Sequence, residues 1–190
     1  MQEIKKLKKE IQKLKELAYK DELTGLYNRR GFKEEAEKFI KEVISFKKFP
    51  KRRKTFLLKN FSLVIFDIDN FKKLNDVYGH QAGDEALKIL SKLILERVRD
   101  IDLVSRWGGE EIILGLVGAD ENDAYKIADD IREKISKTKF KWGRKNLSFT
   151  ISGGAADFNR AKNFEELIRK VDEALYQAKK EGKNRIIKYL

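Results

Sequence analysis

The sequence predicts an α/β domain in which a mixed sheet of five strands is covered by helices. Three observations lead to this prediction. The segment 61–66 is almost entirely apolar and ends in Asp67, as expected of a central strand buried on both faces. Two short apolar runs, 103–107 and 112–116, bracket a turn with two glycines, which predicts a hairpin. Amphipathic segments separate these strands from two more, predicted near 147–155 and at 186–189.

Five helices are predicted around this sheet, because their apolar residues recur three and four positions apart. The segments are 31–47, 70–78, 84–99, 121–138 and 163–180. Pro50 ends the first of them. We expect Gly79 and Gly83 to form a turn before the third helix, with Asp84 at its N-terminus, where it would cap the helix or lie beside a bound phosphate.

A further helix is predicted over 1–20, which divides the chain into this N-terminal segment and a main domain over 21–190. Its apolar residues follow the heptad pattern of parallel coiled-coil dimers. Barely two heptads are visible, so an amphipathic helix that packs on its own domain fits as well. We expect the dimer. The residues of the pattern are Ile4, Leu7, Ile11, Leu14 and Ala18.

Composition restricts the class of function. The 43 Lys and Arg residues outnumber 31 Asp and Glu residues, and the net charge of +12 favours polyanionic partners. The absence of cysteine excludes disulfides and thiolate metal sites, and the single histidine, His80, excludes a multi-histidine site. The basic segment 47–54 lacks a nucleic-acid-binding pattern and fits a solvated loop, so we expect no nucleic-acid partner. Without a long apolar run or a signal peptide, the sequence predicts a cytoplasmic protein with no membrane segment.

Acidic residues are the first candidates for chemistry. Asp67 and Asp69 follow the buried strand, and Glu110 and Glu111 lie on the glycine turn between two other strands. Carboxylates that converge from separate strands form an oxygen-ligand site suited to Mg²⁺ or Mn²⁺. The alternative is that Asp67 caps the next helix and that both glutamates are solvated turn residues.

Glycines and basic residues add a possible phosphate site. Gly108 and Gly109 allow backbone to approach a ligand closely, because no Cβ intervenes. Lys179, Lys183 and Arg185 surround the end of the last predicted helix, where they would complement the helix dipole or hold a triphosphate. Neither a P-loop nor a GxGxxG motif occurs, so the common phosphate-binding loops are absent.

Four motifs resemble those of the GGDEF diguanylate cyclase family. The signature-like segment is Arg-Trp-Gly-Gly-Glu-Glu-Ile over 106–112, a GGEEI variant with Ile112 where Phe is usual. The segment Asp-x-Leu-Thr-Gly-Leu-x-Asn-Arg-Arg over 21–30 is similar to the family's first motif. The segment 67–84 resembles its nucleotide-binding motif, and 174–185 resembles its closing motif. The four motifs follow one another in the family's order.

The resemblance implies a palm-like α/β fold and synthesis of cyclic di-GMP from two GTP molecules, with release of two pyrophosphates. It implies a homodimer whose two active sites face each other, formed through the N-terminal helix or bridged by ligand, with two Mg²⁺ or Mn²⁺ ions per site. The implied metal ligands are Asp67, the Ile68 carbonyl, Glu110 and Glu111, and the three acids among them are the implied catalytic residues. Asn75 and Asp84 match the guanine readers. The implied substrate-binding residues are Asn70, Phe71, Lys72, Asn75, Asp84, Gly108, Gly109, Lys179 and Lys183.

An RxxD motif just before the signature resembles the family's product-inhibition site. Arg99 and Asp102 would bind cyclic di-GMP there, and we group Arg106 with them. On its own the motif is equally typical of a charged pair at a helix end. The alternative function is a non-catalytic receptor of the same family that binds cyclic di-GMP or GTP and signals through the N-terminal helix.

Overall fold

The computed structural model describes residues 3, 4, 6, 7, 10, 17–48 and 58–189. The strands are β1 (Tyr27–Asn28), β2 (Phe61–Ile68), β3 (Leu103–Arg106), β4 (Glu111–Val117), β5 (Phe140–Trp142), β6 (Lys145–Leu147), β7 (Ile151–Asp157) and β8 (Ile186–Lys188). The helices are α1 (Arg29–Lys48), α2 (Phe71–Tyr78), α3 (His80–Leu95), α4 (Glu121–Lys137) and α5 (Phe164–Lys180), with a 3₁₀ turn at Phe158–Arg160.

The central sheet has six strands in the order β1-β3-β4-β2-β7-β8. The outer pairs β1–β3 and β7–β8 are parallel, and the three inner pairs are antiparallel. All eight residues of β2 are buried. Val64, Phe66 and Ile68 point to the core shared with α3 and α4, whereas Leu63 and Ile65 point to the core shared with α1 and α5. The near-continuous apolar run of β2 therefore follows from helices on both faces.

The expected count of five strands is wrong: the sheet has six, and β5 and β6 form a separate two-stranded hairpin. The two residues of β1 carry no periodic pattern, and only their parallel pairing with β3 makes them a strand. The strand predicted near 147–155 is divided, because β6 ends at Leu147 and β7 begins at Ile151. Gly143, with a φ of 58°, makes the tight turn between β5 and β6.

The turn predicted between Gly79 and Gly83 is also wrong. Only Gly79 interrupts the helices, with a φ of 84°, and α3 already begins at His80. Gly83 lies inside α3, where a Cβ atom would come within 2.1 Å of the Asn75 Oδ1 atom on α2. This glycine therefore permits the close approach of two helices and does not make a turn. Asp84 is consequently within the first turns of α3 and not at its N-cap.

The N-terminal helix is described only in part. Residues 17–19 are helical, and Ile4 and Leu7, also helical, are 60% and 53% exposed. Ile11 and Leu14 lie outside the described residues, so the coiled-coil dimer remains a prediction. Of the basic segment 47–54, only the first two residues are described, at the end of α1. Across the described ranges, no helix is both long enough and apolar enough to cross a membrane.

Candidate active site

Two of the expected metal ligands lie side by side on adjacent strands. Asp67 near the end of β2 is paired across the antiparallel ladder with Glu111, the first residue of β4. Directly opposite residues place their Cβ atoms about 5 Å apart, so the two side chains share one end of the sheet. Glu110 precedes Glu111 in the turn, and the Ile68 carbonyl follows Asp67 at the end of β2. The structure thus brings these four residues to one end of the central strands; this end is called the sheet edge below.

The carboxylates of this edge repel one another. Burial raises the pKa of Asp67 above its ordinary value; Lys179 opposes this shift, whereas the charges of Glu110 and Asp69 add to it. Burial likewise raises the pKa of Glu111, and the charges of Asp67 and Asp172 raise it further. Each ionised group therefore costs free energy in this position, and a bound cation would remove that cost.

Asp69, two residues beyond Asp67, has a different environment. Its carboxylate accepts hydrogen bonds from the Thr150 and Ser152 hydroxyls, both at 2.7 Å, and from the Asn184 backbone N–H at 3.0 Å. These donors tie the end of β2 to β7 and to the loop after α5. Asp69 therefore holds the framework of the site together, and its oxygens are already occupied.

Lysines from the end of α5 reach the same edge. The Lys179 Nζ atom lies 2.7 Å from Asp67 Oδ2. The Lys183 Nζ atom donates to Asn70 Oδ1 at 2.6 Å, and Asn70 begins α2 with a φ of 56°. Lys72 is exposed on α2. Lys179 is therefore a neighbour of the carboxylates, although 112 residues separate it from Asp67 in the sequence, and Lys183 lies beside Asn70.

A polar group without a partner lies between α2 and α3. The Asn75 Oδ1 atom is buried and makes no hydrogen bond within the protein. It faces Gly83, and Phe71 also lies against that glycine. Asp84 follows Gly83 directly. A buried amide oxygen without a partner is unfavourable, so the contact between α2 and α3 has unused hydrogen-bonding capacity, as ligand sites often do.

The glycine turn between β3 and β4 also borders the site. It closes when the Trp107 N–H donates to the Glu111 carbonyl oxygen at 2.8 Å. A Cβ atom at Gly108 would come within 2.6 Å of the Glu111 Oε2 atom, so the glycine leaves room for this carboxylate. Gly109 is exposed and has open space around its Cα atom.

Arg106 belongs to this turn in the structure. Its guanidinium donates to the Gly109 carbonyl oxygen through Nε at 3.1 Å and Nη2 at 2.9 Å. Its Nη1 atom lies 3.2 Å from Asp21 Oδ2. From the sequence, Arg106 was grouped with the RxxD motif, because proximity in sequence could not show which way the side chain turns.

Arg99 and Asp102 form a closed pair at the opposite end of β4. The Asp102 carboxylate accepts from the Arg99 backbone and guanidinium and from the Val117 N–H, all at 2.9–3.1 Å. A cavity of about 360 Å³ lies beside them, and it is lined in addition by Lys20, Leu26 and neighbouring residues. This cavity is large enough for part of a nucleotide.

Asp172 is a further acidic residue at this site that the sequence motifs did not indicate. This residue on α5 faces the site closely enough for its charge to raise the pKa of Glu111, and partial desolvation raises the pKa of Asp172 itself. A signal was available, because Asp172 and Lys179 are seven residues apart in the same predicted helix. That spacing is two helical turns, which places both on one face.

The residues at the sheet edge fit a divalent metal ion. The Lys179 ammonium group on Asp67 shows that a cation is accommodated there. Within the described part of the chain, no three acidic, histidine or cysteine side chains enclose a metal site by themselves. Magnesium does not need such a cage, since it is typically held by one or two carboxylates and completes its coordination with water and substrate phosphates.

Comparison with known proteins identifies the family. The family model "Diguanylate cyclase, GGDEF domain" matches residues 18–185. The chain is 43% identical over 126 residues to diguanylate cyclase DosC of Escherichia coli K12, and this match covers 66% of this chain and 27% of DosC. It is 35% identical over 176 residues to diguanylate cyclase DgcM of the same organism, covering 93% of this chain and 40% of DgcM. The chain thus spans well under half the length of either relative.

A solved structure agrees with the fold. The GGDEF domain of DgcB from Caulobacter crescentus, in complex with c-di-GMP, superposes with a TM-score of 0.81 at 26% sequence identity. The match covers 90% of this chain and 93% of that one. The fold and the site therefore define a palm-like α/β domain, as predicted. The chain belongs to the GGDEF domain family of diguanylate cyclases, and the resemblance seen in the sequence is confirmed.

Proposed function

We propose that this chain is a diguanylate cyclase that condenses two GTP molecules into cyclic di-GMP and releases two pyrophosphates. The observation that carries the proposal is the pairing of Asp67 with Glu111 across β2 and β4, with Lys179 2.7 Å from Asp67. Carboxylates and ammonium groups in this arrangement suit a metal-bound triphosphate. Membership of the family and the names of two relatives, both diguanylate cyclases, support the same reaction.

Two Mg²⁺ or Mn²⁺ ions per site are part of the proposal. Asp67, the Ile68 carbonyl, Glu110 and Glu111 would hold them. When bound, such ions neutralise charge on the triphosphate and make the attacking hydroxyl more acidic. The raised pKa values of Asp67 and Glu111 support this assignment, because a cation between the two carboxylates relieves their repulsion.

The guanine base would lie beside α2 and α3. A carboxylate at Asp84 accepts hydrogen bonds from the guanine N1–H and exocyclic amine, whereas adenine lacks this donor pair. The Oδ1 atom of Asn75 is buried and has no protein partner, so it would bond to the base after rotation of the side chain. Asn70, Phe71 and Lys72 line the approach from the start of α2. These residues would set the preference for GTP over ATP.

The triphosphate would lie between the glycine turn and the end of α5. The backbones of Gly108 and Gly109 can approach it closely. Lys179 and Lys183 would contact its oxygens, and both lysines already bond to side chains of the site. Phosphate groups are held well by such a combination of backbone and ammonium donors.

The chemistry requires two copies of the domain. Each holds one GTP, and the 3′-hydroxyl oxygen of one attacks the α-phosphorus of the other. A new O3′–P bond forms, the hydroxyl proton passes to water, the bond from the α-phosphorus to the bridging oxygen breaks, and pyrophosphate leaves with that electron pair. The same step with the two nucleotides exchanged closes the ring and releases the second pyrophosphate. We therefore propose a homodimer while active, formed through the N-terminal helix or bridged by nucleotide. The product would inhibit by binding at Arg99 and Asp102, beside the cavity of about 360 Å³.

A turnover assay tests the proposed function. Incubation with GTP and Mg²⁺ should give cyclic di-GMP and pyrophosphate by chromatography, with a rate per chain that rises with protein concentration as dimers form. Asp67→Asn should lower the initial rate by about a thousandfold, because it removes one charge from the metal site. Chelation of divalent ions should have the same effect.

The matched control is Asp120→Asn, the same change at the N-cap of α4. Asp120 accepts two backbone hydrogen bonds there, and asparagine caps a helix about as well as aspartate. This variant should keep the wild-type rate. Tight binding of GTP or cyclic di-GMP without turnover, by a confirmed dimer, would instead show the non-catalytic receptor.

A further inference from the structure

We propose that Arg106 is a positioning residue for the glycine turn, and that Asp21 acts through it. The pair would couple the junction of the N-terminal helix, residues 18–28, to the carboxylates of the candidate active site. The inference rests on the proposed function, because its consequence is a change in the rate of cyclic di-GMP synthesis. It assigns to Arg106 a role distinct from the product site.

The junction is a closed turn with Asp21 at its centre. The Asp21 Oδ1 atom accepts from the Thr24 backbone N–H at 2.9 Å and from the Thr24 hydroxyl at 2.7 Å. The Asp21 backbone bonds in both directions, to Leu26 O at 2.9 Å and from Gly25 N at 2.8 Å. One carboxylate oxygen is thus used within the junction, and the other, Oδ2, is directed at Arg106. Asp21 consequently has a fixed position from which to hold the guanidinium.

The junction is also bonded to the end of the N-terminal helix. The Asn28 side-chain amide donates to the Ala18 carbonyl oxygen at 3.0 Å. A Cβ atom added at Gly31 would lie 2.7 Å from the Tyr19 carbonyl oxygen. The chain around Tyr19 is therefore packed directly against the start of α1. A movement of the N-terminal helix would therefore displace the junction that contains Asp21.

Arg106 transmits the position of Asp21 to the turn. Two of its nitrogens donate to the Gly109 carbonyl, and the third lies against Asp21, so one rigid guanidinium plane spans both partners. The Gly109 carbonyl belongs to the peptide group that leads into Glu110. Fixing this carbonyl fixes the orientation of the peptide plane before the two signature acids.

The turn does not depend on Arg106 in order to fold. The bond between the Trp107 N–H and the Glu111 carbonyl closes it, and the Trp107 ring packs against Phe32 and Phe164 with centroid separations of 6.0 and 6.1 Å. The Arg106 and Asp21 side chains are only 22% and 21% exposed, so their interaction is less screened than that of a surface pair. Removing it should therefore loosen the turn without unfolding the protein.

Steady-state kinetics of three variants test the coupling. Arg106→Lys keeps the charge but cannot span both partners, and we expect kcat to fall about tenfold to thirtyfold with KM for GTP within about twofold of wild type. Asp21→Asn keeps an acceptor for Thr24 and should lower kcat several-fold. The double variant should be no worse than Arg106→Lys, because Asp21 acts only through Arg106.

A second Arg–Asp pair between distant segments provides the control. Arg97 Nη2 lies 2.6 Å from Asp130 Oδ2, and both side chains are largely exposed. Arg97→Lys and Asp130→Asn should each keep kcat and KM within twofold of wild type. Independent, multiplicative losses in the Asp21 and Arg106 variants, or losses confined to KM, would overturn the proposal.

Fluorescence tests the same coupling without turnover. The chain has two tryptophans, so Trp142→Phe leaves Trp107, the neighbour of Arg106, as the only emitter. In the Trp142→Phe protein, Asp21→Asn should increase the quenching of Trp107 fluorescence by acrylamide, whereas Asp130→Asn should not. Unchanged quenching in the Asp21 variant contradicts the proposal. An inactive wild-type protein would contradict the proposed function, and the fluorescence result would still decide the coupling.

Discussion

Acidic groups in opposite situations lie at the two ends of strand β4. At one end, Glu111 lies beside Asp67, and burial together with neighbouring negative charges raises its pKa. At the other end, the Val117 N–H donates to Asp102 at 2.9 Å, and Arg99 supplies three further hydrogen bonds to the same carboxylate. Glu111 begins this seven-residue strand, and Asp102, which precedes β3, accepts a hydrogen bond from the last residue of β4, so the difference between the two carboxylates comes from what surrounds them.

The difference separates carboxylates that build the fold from those that are prepared for a ligand. Asp102 has hydrogen-bond donors for both oxygens, and it ties the turn before β3 to the end of β4. Glu111 is held among acids with one lysine nearby, an arrangement that costs free energy until a cation binds. Carboxylates whose pKa is raised by burial and by neighbouring charges are found often at functional sites. The same contrast separates two residues of one segment: Asp67 lies among other acids, whereas Asp69 accepts hydrogen bonds from Thr150 and Ser152.

The largest effect on stability is expected at the structural end. Asp102→Ala leaves the Val117 N–H and the Arg99 guanidinium without their acceptor, and we expect the free energy of unfolding to fall by about 2–3 kcal/mol. Urea denaturation followed by circular dichroism measures the change. Asp100→Ala, an exposed position in the same turn, should shift the midpoint by much less. Equal shifts for both would show that the Asp102 bonds contribute nothing special.

A gain in stability, and not a loss, is expected from a substitution at the other end of β4. Glu111→Gln removes a charge that Asp67 and Asp172 repel, so the metal-free protein should gain up to about 1 kcal/mol, a rise in Tm of roughly 2–4 °C. The same variant should lose cyclic di-GMP synthesis. Glu173→Gln on the exposed face of α5 should change neither property. A Glu111→Gln variant that is destabilised would contradict the account of crowded charges.

The smallest effect is expected at Asp21, a third kind of carboxylate. Partial burial pushes the pKa of Asp21 upward, but the hydrogen bonds from Thr24 and the charge of Arg106 outweigh it and leave the pKa below its ordinary value. Its contribution to stability is therefore present above about pH 4 and is lost as the pH falls through the lowered pKa.

Thermal denaturation at several pH values measures this contribution. The difference in stability between wild type and Asp21→Asn should be about 0.5 kcal/mol at pH 6 and should shrink toward pH 3. A difference that stays constant over this range would show that the Asp21 charge has no part in it.

The sequence predicted most of the secondary structure because the signals were local. The apolar run at 61–66 and the helical spacing over 163–180 depend on residues close together in the chain. The errors had tertiary causes. Gly83 lies within α3, where its missing Cβ atom allows the helix to approach Asn75. The two residues of β1 form a strand because they pair with β3. Neither partner is visible from the residues next to Gly83 or Tyr27.

By itself, the sequence determined the family, the order of the motifs and which acids, glycines and lysines are candidates for the site. The tertiary structure alone decided how each polar group is partnered. Asp69 bonds to Asn184 and Arg106 to Asp21, across 115 and 85 residues. A side chain's residue type sets what it can donate or accept, but burial and the groups brought beside it determine whether that capacity is spent on the fold or left for a ligand.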